Sequence, residues 1–134
     1  LTHPMSDQLQ TSSILKVDKQ LGLVFGFAIV CKEDGEDHFD RQADHVPEAV
    51  MLKGSLDFAK SDRVAKEMHQ GESVGDIVFM FPMTSEIAAS LDIVTKRTGL
   101  LIAMQPEDPE VLRKFADGEY TGFSIGGKAV NEAI

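Results

Sequence analysis

The sequence predicts an α+β fold, on three observations. Apolar strand-like runs recur at residues 21–30, 76–81 and 99–104. Helix-start signals stand at Pro47, Thr84 and Asp108, and the two kinds of segment alternate along the chain. A length of 134 residues suits one domain with a single core, burying roughly two thirds of the surface its unfolded chain would expose. No internal repeat, linker or low-complexity tract divides it.

Leu1-Thr2-His3-Pro4 reads as a vector remnant ahead of a start at Met5, so the expected domain covers residues 5–134. Between Leu21 and Val30, Leu23, Phe25, Phe27 and Ile29 share one strand face, and Gly22, Val24, Gly26, Ala28 and Val30 share the other. Both faces are apolar, which predicts a central, buried strand. Residues 32–46 are charged and glycine-containing, and are expected to form a loop able to carry function. Pro47 suits the first position of a helix running to about Lys60, with Val50, Leu52, Leu56 and Ala59 among its apolar residues.

Arg63 to His69 alternates Val64, Lys66 and Met68 with Ala65, Glu67 and His69, which predicts a half-exposed strand. Asp76 to Phe81 is a further strand, apolar on both faces. Thr84 caps a short helix to about Leu91, and Gly99 to Met104 is another buried strand. In Asp108-Pro109-Glu110, followed by Val111, Leu112, Phe115 and Gly118, four signals agree on a helix: cap, first-turn proline, acidic first turn and C′ glycine. It leads directly into residues 121–129. As a strand, these place Phe123, Ile125 and Ala129 on one face and Gly122, Ser124, Gly126 and Lys128 on the other; the alternative is a turn at Gly126-Gly127.

The 13 basic and 22 acidic side chains give a formal charge of −9, which excludes the clustered Lys and Arg of a phosphate-tracking nucleic-acid binder. The longest uncharged run, Gln20 to Cys31, is too short for a membrane span of about 20 apolar residues. With one cysteine there is no internal disulfide; Cys31, at the end of an apolar strand, reads as a small buried hydrophobe. No signal-peptide pattern precedes the apolar run, so a cytoplasmic setting is the default expectation.

Two segments carry candidate chemistry. Glu67-Met68-His69 offers an imidazole, and Thr121-Gly122-Phe123-Ser124-Ile125-Gly126-Gly127 offers a hydroxyl on a strand face stripped of bulky neighbours. A serine becomes a useful nucleophile only when a base takes its proton, so Ser124 and His69 brought together by folding are the minimum for acyl transfer.

These blocks, with Asp40-Arg41-Gln42-Ala43-Asp44-His45-Val46-Pro47, resemble the phage prohead (capsid maturation) serine proteases, most closely the XkdF-type branch. The first block is similar to that family's Asp-x-Gln-Gly-Asp stretch before a helix, with Ala43 where the family has glycine. The serine block, from Gly118 to Gly127, is the most specific of the three. The resemblance spans about Leu21 to Lys128. It implies a small β-barrel flanked by helices, as in the herpesvirus assemblin-like clan, and an endopeptidase that needs no cofactor. It further implies scaffold and capsid proteins as substrates, a host-cytoplasmic or procapsid location, and possible self-cleavage and homodimerisation.

The third catalytic member is left open by the sequence. Downstream of the serine only Glu132 is available, while Asp40, Asp44 and Glu67 lie upstream. Glu67 shares His69's strand face and is a neighbour rather than a partner at the far ring nitrogen, so Asp44 is preferred and Asp40 follows. A Ser-His dyad is a further option. Gly126 and Gly127 are the candidate oxyanion donors. Two other readings stand beside the peptidase: a divalent metal held by Asp37, His38, Asp40, Asp44, His45 and His69, and a non-catalytic phage assembly module on the same fold.

Overall fold

A computed structural model describes residues 12–40, 42–60, 75–124 and 128–130. The expected strand at 63–69 lies outside them. The described elements run β1 (Ile14–Asp18), β2 (Leu23–Glu33), β3 (Glu36–Asp37), α1 (Glu48–Lys60), β4 (Gly75–Met83), α2 (Ser85–Ser90), β5 (Arg97–Pro106), α3 (Pro109–Ala116), β6 (Gly122–Ser124) and β7 (Lys128–Val130). The fold is α+β. Strand order in the main sheet is β1-β2-β5-β4, with β3 paired to β2, and β6-β7 form a separate antiparallel pair. Among the described residues the sheet is open, ending at β1 and β4. This corrects the closed barrel that the resemblance implies: closure requires hydrogen bonding between the end strands, and the described ends do not pair.

The chain divides into two compact units. One comprises residues 1–28, 71–80 and 102–134; the other comprises 29–70 and 81–101. In the first, β1 runs antiparallel to β2, with Val17 opposite Val24 and Asp18 opposite Leu23. The Asp18 carboxylate accepts from the Gln20 and Leu21 N–H groups and so shapes the connecting turn. Leu23, Val24, Phe27, Ile102, Met104, Phe115 and Phe123 are buried here.

Helix α3 forms as its letters predict. Asp108 Oδ1 accepts from the Glu110 N–H at 2.9 Å, and Pro109 fills the first turn. At the other end Gly118 takes φ 83°, and the N–H groups of Gly118 and Glu119 donate to the carbonyls of Phe115 and Lys114. This is a Schellman closure, which side-chain-free glycine adopts at little cost. Phe115 then meets Tyr120 edge-on and stacks at a tilt against Phe123, ring centroids 5.3 and 5.6 Å apart.

In the second unit, residues 32–37 depart from the expected loop. β2 continues to Glu33, and Asp34 (φ 55°) and Gly35 (φ 82°) turn the chain so that Lys32 pairs with Asp37 and Glu33 with Glu36. Positive φ at both central residues is what a two-residue hairpin requires, and Asp-Gly supplies it. Helix α1 spans Glu48–Lys60, but its packed face is Met51 and Ser55; Val50, Leu52 and Leu56 are exposed. Thr84 caps α2 as expected, its hydroxyl accepting from the Ile87 N–H at 3.1 Å.

Glu48 ties α1 to α2. Its carboxylate accepts from the Ser85 N–H at 2.9 Å and the Ser85 hydroxyl at 2.8 Å. Burial opposes ionisation of Glu48, but the nearby Thr98 hydroxyl, hydrogen bonding from Ser85 and the charge of Lys32 outweigh it, so its pKa lies below the ordinary glutamate value. Among the described residues the buried Thr98 hydroxyl makes no hydrogen bond of ordinary geometry, yet it favours the charged carboxylate.

A depressed folded-state pKa stabilises the protein above the unfolded value, and the contribution is lost as pH falls through the folded value. Glu48→Gln is therefore expected to cost about 1 kcal/mol at pH 7, discounted for partial exposure. In urea unfolding the gap from wild type should narrow at pH 3, and an equal gap at both pH values would refute this role.

Candidate active site

Ser124 is the last residue of β6. Its backbone pairs in register with Lys128, and Phe123 with Ala129. In place of the continuous strand expected over 121–129, two short strands, 122–124 and 128–130, pair antiparallel. Residues 125–127 lie outside the described residues, and with them both candidate oxyanion donors.

The strand ending at Ser124 is anchored through Phe123, which is 3% exposed and packs on Phe115. Just upstream, the Thr121 carbonyl accepts from the Ser13 N–H at 2.8 Å. A Cβ on Gly26 would stand 2.9 Å from Phe123 Cε2 and 2.5 Å from the Ser13 oxygen, so β2 is bare where the serine hairpin sits against it.

His69 and Glu67 lie outside the described residues, as does Glu132. The acidic block is described except for Arg41. Asp40 Oδ1 accepts from the N–H groups of Gln42 and Asp44, both at 2.9 Å, while the Asp40 N–H donates to the Asp44 carbonyl and the Ala43 N–H to the Asp40 carbonyl. One oxygen of Asp40 is therefore committed to shaping the loop. Asp44 is exposed, and its carboxylate makes no hydrogen bond or ion pair among the described residues.

Ala43 takes φ 65°, a left-handed conformation that costs a residue with a Cβ roughly 1–2 kcal/mol and glycine almost nothing. Ala43→Gly is accordingly expected to stabilise the protein by about 1 kcal/mol net of the added unfolded-chain entropy. A lower melting temperature for Ala43→Gly would contradict that assignment.

The histidines of this loop engage separate carboxylates. His45 Nδ1 lies 2.9 Å from the His38 carbonyl and its Nε2 3.7 Å from Asp37 Oδ1, with its ring tilted against Phe39; His38 Nδ1 lies 3.7 Å from Glu33 Oε1. Among the described residues no three His, Cys, Asp or Glu side chains converge to hold a metal ion. Of the set proposed from the sequence, Asp37 pairs with His45, His38 pairs with Glu33, Asp40 shapes the loop and Asp44 stands exposed, while His69, its sixth member, is not described.

Cys31 is fully buried, as expected for a packing residue. Burial, and then the charge of Glu48, push its thiol up to about 11 against the opposing pull of Lys32. At pH 8 such a thiol is roughly a hundredfold less ionised than one at its ordinary 9.0. Native protein is expected to resist iodoacetamide at pH 8 and to react readily once unfolded in guanidinium; equal rates in the two states would refute an inert Cys31.

Among the described residues no helix is long and apolar enough to cross a membrane. No protein-family model, curated protein or solved structure matches this chain.

Proposed function

We propose that this chain is a serine endopeptidase of the phage prohead type, cleaving scaffold or capsid proteins during capsid maturation. The observation that carries the reading is the backbone at Ala43. Where the resembled motif has glycine, this loop adopts a glycine-favouring conformation, with Asp40 folded over the turn as a short Asp-x-x-x-Asp loop permits. The serine block adds support, because its strand is fixed to the core by Phe123 immediately before Ser124.

In this proposal His69 takes the proton of the Ser124 hydroxyl as its oxygen attacks the scissile carbonyl. The imidazolium then gives that proton to the departing amine. A water molecule, deprotonated by the same imidazole, hydrolyses the acyl-enzyme and restores the serine. Asp44 is preferred over Asp40 as the carboxylate that orients His69, since one Asp40 oxygen is already held by two backbone N–H groups. The kinship to the assemblin-like fold, dimerisation and a procapsid location belong to the same proposal and rest on the motifs.

Incubation of purified protein with scaffold and capsid peptides tests the reading. Cleavage by wild type and none by Ser124→Ala is expected; no cleavage by wild type, or equal cleavage by both, would overturn it.

A second reading, a non-catalytic assembly module, is favoured by exposed apolar side chains close together on β4: Val78, Phe79 and Phe81. A contiguous exposed apolar patch commonly marks a binding face. Capsid-protein binding that survives Ser124→Ala, without cleavage by wild type, would select it.

A further inference from the structure

We draw no further inference here: the strongest candidate, the exposed apolar edge of the main sheet along β4 with Val78, Phe79 and Phe81 in the open, carries none because nothing in the structure shows what covers it.

Discussion

Replacing either Ser124 or His69 with alanine is expected, on the proposed nucleophile–base pair, to lower kcat for peptide cleavage by about 10⁶-fold, and replacing both should do no further harm. The expectation follows from the division of labour. A hydroxyl without its base stays protonated, and a base without its nucleophile has no proton to take, so removing one member disables the other. If the two residues acted independently, for instance with His69 only binding substrate, the losses would multiply. Steady-state kinetics on the two single variants and the double variant separate these cases. Ser124→Ala should also leave the thermal unfolding midpoint close to wild type, because the strand is anchored by its neighbour Phe123.

Gly26→Ala is expected to destabilise the protein by about 3 kcal/mol, large for the addition of one methyl group. The new carbon would stand 2.5 Å from the Ser13 carbonyl oxygen and 2.9 Å from the Phe123 ring. The ring can tilt, but the carbonyl has little room to retreat because it accepts the Phe27 N–H at 2.9 Å. Relief therefore requires β1 to separate from β2, or Phe123 to leave its contact with Phe115. Either route disturbs the strand that ends at Ser124, so on the proposed function the variant should lose peptide cleavage as well as stability. Urea unfolding measures the first effect. A change below about 1 kcal/mol would mean that β1 and the serine hairpin do not pack on Gly26 as described.

Which elements the sequence disclosed follows from the kind of signal each carries. Helix α3 was legible because Asp108, Pro109 and Gly118 each satisfy a local backbone requirement, and local requirements do not depend on the rest of the fold. The same holds for Thr84. Strand β1 gave no such sign: Leu15 is 53% exposed, and the segment is a strand because it pairs with β2, a tertiary fact. The Asp34-Gly35 turn was present in the letters as an Asp-Gly hairpin signal, hidden among charges that made 32–46 look like an undivided loop.

Apolar content says least at β4 and α1. Val78, Phe79 and Phe81 of the expected strand and Leu52 and Leu56 of the expected helix stand exposed, because composition tells which side chains prefer burial and not which faces have partners. In the candidate site, alternation over 121–129 fits one strand and two paired strands equally well around Gly126-Gly127, and the hairpin is the one formed. Asp40 and Asp44 are alike as letters; the loop distinguishes them, since Asp40 Oδ1 is engaged by two N–H groups while the exposed Asp44 has no side-chain partner among the described residues. Ala43 reads as a departure from the motif, yet its backbone keeps the conformation that glycine would favour.

The proposed activation of Ser124 can be read out by reacting the folded protein with diisopropyl fluorophosphate and mapping the adduct by mass spectrometry. One diisopropylphosphoryl group per chain is expected, located within residues 118–128, absent from Ser124→Ala and strongly slowed in His69→Ala. An unmodified chain, or an adduct that persists in Ser124→Ala, would overturn the proposed nucleophile.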